Sequence, residues 1–393
     1  MITQFHVQNY KALRDITLPL TPVHVLIGPN DSGKTSILEA IAALYKSVDF
    51  QLDDIFPRVP KSSDLLWDTL GNEVASFAAK IDDPALAGEY QIDCVMREGP
   101  SRHAEVWIPN GKPPLAIPAV NMSGTSVQFA HKQPGSTAMD RVLAKQLHDA
   151  LSGVAFFRWN PRMLKMPVML DAAHRLSLDS SGFGLAQCLD DILGLDRDLF
   201  RKLKTEFRGI FPEIKAIQLV SEPAYQWPQP HQVEDLPHAA AASGKSIYFQ
   251  LHDGNSSRGK SIRAAQASDG LLLVLAYLTL LHLPNPPRVI LVEEPENGIH
   301  PKRLGEIMKI LRQLIERQNR TQILMTTHSP YLLDLFKPEE VTLCKKRQDG
   351  SVGVHPLGLS TDIRKQLAVF NLGEIWTAEG DEALAKVPAD GEK

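Results

Sequence analysis

The spacing of hydrophobic positions changes along the chain. At the N-terminus "ITQFHVQ" alternates apolar and polar residues and predicts a strand, and "RDITLPL" predicts a second. "VHVLIG" is an unbroken apolar run ending on glycine, the pattern of a buried strand. The period then lengthens. In "GKTSILEAIAALYKS", Ile37, Ile41 and Leu44 line one side of a helix. In the middle third, "YQIDCVM" and "AEVWIP" alternate and predict a hairpin within residues 86–108. Asn110 to Thr137 is rich in Gly, Pro and Ser and predicts a long loop. "MDRVLAKQLHDALSG" and "FGLAQCLDDILGLDRDLFRKLKTEFRGIF" predict helices, the second broken near Gly194. "SEPAYQWPQPHQVEDLPHAAAASG" reads as a proline-rich connector. The final third alternates strand and helix: "SIYFQLHD", "LLLVLAYLTLL", "RVILVEE", "PKRLGEIMKILRQLIERQ", "TQILMTTHS", then a hairpin in "EEVTLCKKRQDGSVGVHPL". Buried strands alternating with helices predict a parallel sheet shared by "VHVLIG" and the later strands, with the middle third inserted.

Composition narrows the function classes. The chain has 393 residues, 43% hydrophobic and 22% charged, an ordinary globular balance. Its formal charge of −4, from 42 basic and 46 acidic side chains, argues against a general coat of positive charge for nucleic acid. Cys94, Cys188 and Cys344 lie far apart and form no C-x-x-C pair, so neither a zinc knuckle nor a disulfide framework is expected. The opening has no basic head and no long apolar run, and "LLLVLAYLTLLHLP" is too short to span a bilayer comfortably. The expected location is cytoplasmic, with no membrane contact.

Two stretches fit the phosphate-loop pattern G-x-x-x-x-G-K-[ST]: "GPNDSGKT", Gly28–Thr35, and "GNSSRGKS", Gly254–Ser261. The chemistry needs a buried strand before the loop and a helix after it. Backbone N–H groups then converge on the phosphates, Lys reaches the β/γ oxygens, and the hydroxyl holds Mg²⁺. The first stretch has both neighbours, with Lys34 and Thr35 in the working positions. The second reads as a hairpin: strand, "GNSSRG" turn, strand. The expectation is one phosphate loop and one coincidence.

Four further features follow in order. "RVILVEEPENGIHP" leads an apolar strand into two acids: Glu293 suits the water shell of Mg²⁺, and Glu294 the polarising of an attacking water. A surface acid pair after a strand is the plainer alternative. "ASDGLLL" places Ser268 and Gly270 at a helix start, where hydroxyl, N–H and helix dipole suit an anion. A plain cap by Ser268 or Asp269 is the alternative. "ILMTTHSP" ends a strand at His328, placed to hydrogen-bond a γ-phosphate unless it is structural. Asn297 and Gly298 form a turn after the acids, a candidate for contact across a subunit interface.

Together "GPNDSGKT", "ASDG", "VILVEEPENGIHP" and "TTHSP" resemble the Walker A, signature, Walker B with D-loop, and H-loop of ABC-type ATPases. The chain is similar to the RecF/SMC/OLD-like branch of AAA-family ATPases, which "FHVQNYKALRDITLPL…VLIGPN" and "FRWNPRML…SGFGLAQCLDDIL…FRGIFPEIKAI" also resemble. The resemblance implies an α/β fold, an ABC-type P-loop ATPase head with a mixed β-sheet, an antiparallel β subdomain and a mainly helical insert. The divisions expected are 1–60 (Walker A lobe), 61–245 (insert), 246–380 (signature, Walker B, D-loop and H-loop) and a disordered 381–393. It implies ATP and Mg²⁺ as cofactors. Nucleotide contacts fall on Gly28, Asn30, Ser32, Gly33, Lys34, Thr35, Ser36, Ser268, Gly270 and Asn297, metal contacts on Thr35 and Glu293, and catalysis on Glu294, Lys34 and His328. It further implies a homodimer closed around ATP, each nucleotide lying between Lys34 of one subunit and Ser268 of the other. The family's glutamine between Walker A and signature has no clear counterpart; Gln91 is the candidate. The insert lacks the heptads of an SMC coiled coil, and the residues after His328 read as a hairpin rather than as a nuclease domain. The expected output is regulation of DNA engagement or of a separate effector, of nuclease or toxin type. The alternative is a switch or scaffold acting only on proteins. In 156–175, Arg158, Arg162, Lys165 and Arg175 beside Phe156, Phe157 and Trp159 are the candidate DNA contacts, against a solvated loop beside a core.

Overall fold

The structure, a computed structural model, describes residues 1–56, 59, 61–68, 73–83, 86–96, 102–117, 124–132, 141–228, 239–252, 260–318 and 321–384. Its strands are β1 (Ile2–Tyr10), β2 (Leu13–Pro19), β3 (Val23–Ile27), β4 (Val74–Asp83), β5 (Leu86–Val95), β6 (Arg102–Pro109), β7 (Leu115–Ile117) and β8 (Val154–Phe157). They continue with β9 (Ile214–Tyr225), β10 (Ala239–Leu251), β11 (Ser261–Arg263), β12 (Val289–Glu293), β13 (Gln322–Thr326), β14 (Val341–Lys346) and β15 (Val352–Pro356). The chain packs as two units, one of residues 1–156, 287–292 and 320–393, the other of 157–286 and 293–319.

The first unit holds two sheets. One is antiparallel, in the order β2-β1-β4-β5-β6-β7, and the other mixed, in the order β15-β14-β3-β13-β12-β8. In the mixed sheet β3 runs parallel to both β13 and β14, while β14 and β15 form the expected hairpin. The helix Lys34–Lys46 follows β3 directly. Ile37, Ile41 and Leu44 are buried as the spacing predicts, and so are Leu38, Ala42 and Tyr45. The reason is tertiary: one apolar cluster joins this helix to Phe5 and Phe77 of the antiparallel sheet and to Leu26 and Leu324 of the mixed sheet. At about 1.5–3 kcal/mol per large buried side chain, this helix anchors the loop before it.

The second unit holds the three-stranded sheet β11-β10-β9 and the helices Leu185–Leu195, Arg197–Ile210, Asp269–Leu281 and Pro301–Gln318. The predicted long helix breaks at Asp196, two residues beyond Gly194; its carboxylate caps the second half by accepting from the N–H groups of Asp198 and Leu199. The helix Asp269–Leu281 is buried from Leu271 onward. It is an all-round apolar core helix, as its composition requires.

Three loop expectations change. Within Asn110–Thr137 the chain forms β7 and a helix, Ser126–Lys132, tied down by Thr125 Oγ1 donating to the Ser47 carbonyl (2.8 Å) and by buried Val127. The connector Ser221–Gly244 is strand at both ends, because β9 runs to Tyr225 and β10 begins at Ala239. Residues 229–238, like 118–123 and 133–137, lie outside the described residues. At the C-terminus the helix Leu372–Leu384 takes in the first residues of the expected tail, and 385–393 lie outside the described residues. The three cysteines are buried and unbridged. Among the described residues no helix is long and apolar enough to cross a membrane.

Candidate nucleotide site

The phosphate-loop stretch leaves β3, a strand buried at every residue, and enters a helix. Two glycines make the turn. Gly28 has φ 135°, and a Cβ there would stand 2.1 Å from the Cys344 carbonyl oxygen; Gly33 has φ 86°, and a Cβ would meet Val352 Cγ2 at 2.3 Å. Only glycine fits either place. The helix start has no side-chain cap, so its first N–H groups face the loop. Buried Lys34 curls back over that loop: Nζ donates to the carbonyls of Gly28 (2.9 Å) and Pro29 (2.7 Å) and to Ser32 Oγ (3.3 Å). Ser32 is buried, Asn30 and Thr35 are exposed, and Ser36 is half-buried. Oriented N–H groups, an ammonium and an exposed hydroxyl at an uncapped helix start have the chemistry to hold a phosphate. Behind it, burial pushes the Cys344 thiol up to about 12, against the opposing pull of Lys34.

His328 emerges at the same end of the sheet. β13 pairs with β3 in the register Thr326↔Leu26, and the Thr327 N–H donates to the Leu26 carbonyl (3.1 Å). Half-buried His328 follows, held before Ser329, whose hydroxyl accepts from the Leu332 N–H (3.3 Å).

In the second unit the acids stand at the end of β12. The Glu293 side chain is 7% exposed, and its Oε1 is buried with no hydrogen-bond partner. A desolvated carboxylate oxygen at a strand end suits the water shell of Mg²⁺, which takes one or two carboxylates and keeps several waters. Glu294 is left-handed, at φ 46°, a conformation rare outside glycine and concentrated at functional sites. Asn297 Nδ2 donates to Glu294 Oε2 (2.5 Å), and its N–H to the Glu294 carbonyl (3.0 Å). Asn297 therefore orients Glu294 within its own chain. Gly298, at φ 81°, brings this turn against Asp269 and Leu273.

At the signature, Ser268 is the N-cap of Asp269–Leu281, its hydroxyl accepting from the Leu271 N–H (3.4 Å). Asp269 pairs with Lys165 (2.6 Å). Nothing crowds Gly270; a Cβ there would lie 3.6 Å from the nearest atom, the Gly298 carbonyl oxygen. Gln91, the candidate loop glutamine, lies mid-strand in β5 and donates to Asp93 Oδ1 (2.9 Å), so it is a sheet residue. The candidate DNA segment is occupied differently from the expectation. Arg158 pairs with Glu293 (3.3 Å) and Arg175 with Asp191 (3.6 Å). Phe157 is buried, and Trp159 packs between Phe157 and Tyr277. The Arg158–Glu293 pair is the feature that sequence reasoning missed; its partners are 135 residues apart, and nothing local marks it.

The second phosphate-loop match has the other surroundings. Ser261 opens β11, which pairs antiparallel with β10 in the register Gln250↔Ser261. Residues 253–259, most of that loop, lie outside the described residues. No helix follows Lys260.

A phosphate loop opening a helix from a parallel strand and an antiparallel sheet in the first unit, with an acidic strand end and a capped apolar helix in the second, are the parts of an ABC-type P-loop ATPase head. The comparisons agree. The family "AAA ATPase domain" matches residues 1–94, and "AAA domain, putative AbiEii toxin, Type IV TA system" matches 185–334. A protein of Thermus scotoductus named OLD nuclease is 23% identical over 386 residues. That match takes in 90% of this chain and 64% of the relative's length. Among solved structures, an SMC head bound to the C-winged helix domain of ScpA is similar with a TM-score of 0.51 at 14% identity, over 91% of this chain and 98% of that one. An Smc head with an extended coiled coil, bound to the C-terminal domain of ScpA and derived from Pyrococcus furiosus, has a TM-score of 0.50 at 11% identity, over 93% and 99%. These two likenesses concern fold alone. The chain resembles AAA-family ATPase heads of the RecF/SMC/OLD-like kind, and two of its segments match AAA ATPase families.

Proposed function

We propose that the chain binds ATP with Mg²⁺, hydrolyses it, and closes as a homodimer around the nucleotide to regulate a separate effector protein. The loop N–H groups with Asn30, Ser32, Gly33 and Ser36 cradle the phosphates, and Lys34 takes the β/γ oxygens. Thr35 and Glu293 hold the metal, which neutralises charge on the phosphates. Glu294, oriented by Asn297, accepts the proton of the attacking water. His328 bonds the γ-phosphate. Ser268 and Gly270 meet the nucleotide of the other subunit. The observation that carries this reading is the uncapped helix start behind Gly33, with Lys34 folded over the loop.

Between the two outputs, the packing of Phe157 and Trp159 and the pairing of Lys165 with Asp269 leave 156–175 without exposed rings to stack on bases, and only Arg158, Arg162 and Arg175 as exposed cations. That favours a protein effector. The name of the Thermus scotoductus relative supports one of nuclease type.

The test is Glu294→Gln. Loss of a general base slows turnover by about 10²–10⁴-fold. The variant should still bind ATP and accumulate as a dimer by size exclusion with light scattering; normal turnover sinks the base assignment. A stoichiometric protein captured with this variant, ATP and Mg²⁺ supports the effector output. Captured DNA without a protein supports direct DNA engagement instead.

A further inference from the structure

β8 and β12 are neighbours in the mixed sheet, and the Gly153 carbonyl accepts the N–H groups of both Arg288 (2.8 Å) and Val289 (3.3 Å). Gly153 meets Arg288 before the strands and Arg158 meets Glu293 at their far end, five residues on along each chain. β12 ends on Glu293, and the residue after β8 is Arg158. Arg158 Nε lies 3.3 Å from Glu293 Oε2.

The pair is lopsided. The Glu293 side chain is 7% exposed, against 82% for Arg158. The carboxylate is nearly out of water and receives one cation in return, on Oε2; Oε1 is buried without a partner. The guanidinium keeps most of its hydration and loses little by leaving. Its backbone is fixed meanwhile. The Arg158 N–H donates to the Ser180 carbonyl (2.9 Å), and Trp159 is wedged against Phe157 and Tyr277. An anchored Cα with an exposed head is free to swing without disturbing the fold.

We propose that Arg158 is a latch on the metal carboxylate: its guanidinium neutralises Glu293 until magnesium–nucleotide displaces it. The proposal rests on the metal role of Glu293. A divalent ion brings twice the charge to the same buried carboxylate and can use the oxygen that Arg158 leaves unsatisfied. The exchange makes the Mg²⁺ requirement of nucleotide binding a competition between two cations. Arg158 is a positioning residue in this scheme, acting through Glu293.

The test measures binding, not turnover. A fluorescent mant-ATP analogue is bound to the full chain at increasing Mg²⁺, starting in EDTA, and the Mg²⁺ midpoint is read. Arg158→Ala should lower that midpoint about fivefold, the size of a partly exposed ion pair. Arg158→Lys, which keeps a cation, should fall between wild type and Arg158→Ala. In a Glu293→Gln background, Arg158→Ala should change nothing further, because its target is gone. A midpoint that rises or stays put in Arg158→Ala overturns the latch, as does an equal effect in the Glu293→Gln background. If wild type binds mant-ATP normally while the midpoint ignores Arg158, only the latch fails. If wild type binds no mant-ATP at any Mg²⁺, the ATPase reading fails with it.

Discussion

After Gly28–Thr35 the chain turns into a helix; after Gly254–Ser261 it turns into a strand. The eight-residue pattern is the same. A helix start leaves its first N–H groups without backbone partners, and these bind phosphate. A hairpin strand commits its N–H and C=O groups to the neighbouring strand, as Ser261 to Arg263 do along β10. The preceding strands differ in the same sense. β3 is buried throughout, whereas β10 pairs with β9 and β11 in an antiparallel sheet. The motif supplies the residue types, and the element that follows decides whether they converge.

The largest effect expected from this contrast concerns the lysines. Lys34→Ala removes a charge-assisted contact of about 3 kcal/mol, so ATP affinity should drop about 100-fold. Lys260→Ala should leave it within about twofold, the change expected of a surface substitution. Equal losses in a nucleotide-binding titration would make the second loop a working site.

The glycines come next. Gly28→Ala sets a methyl against the Cys344 backbone in a left-handed conformation, at a cost of about 2 kcal/mol or more. Gly270→Ala meets only ordinary contact and should leave stability unchanged or raise it by up to about 1 kcal/mol, since alanine favours helix. Under the proposed dimer, Gly270→Ala weakens ATP-driven dimerisation without unfolding the chain. Denaturation curves beside light scattering separate the two effects. A Gly270→Ala protein that dimerises normally removes the signature from the interface.

The smallest effect concerns pH. His24 sits in β3, hydrogen-bonded to Thr21 (3.1 Å) and Thr342 (3.0 Å). Burial pushes its pKa down to about 4, partly opposed by Glu340. The unfolded chain then binds a proton that the folded chain refuses, so stability falls as pH drops from about 6.5 toward 4. Between pH 7.5 and 5 the loss from this residue is about 2 kcal/mol. His24→Gln should lose less across the same interval, and parallel losses in urea melts would clear His24 of the effect.

Local chemistry was legible where it decided structure. Consecutive buried positions announced β3, β12 and β13, and the loop with its helix followed from the residues themselves. The helix Leu372–Leu384 went unread, although Leu372, Ile375 and Trp376 carry helical spacing. The strand in Asn110–Thr137 was hidden because β7 is three residues long and exists by pairing with β6. Gln91, the candidate for the family's glutamine, lies in "YQIDCVM", whose alternation already read as strand, and it sits in β5.

By itself the sequence determined the glycine-rich turn into a helix at Gly28–Thr35, the acidic strand end, the capped apolar helix and the class of fold they belong to. Each depends on contacts within about one element, where residue type and spacing set the backbone. Only the tertiary structure decided that β1 pairs with β4, that the Lys34 helix is buried all round from Ala40 to Tyr45, and that Arg158, Lys165 and Arg175 face acids. These pairings join residues tens to hundreds of positions apart, and their partners are chosen by packing and charge in three dimensions.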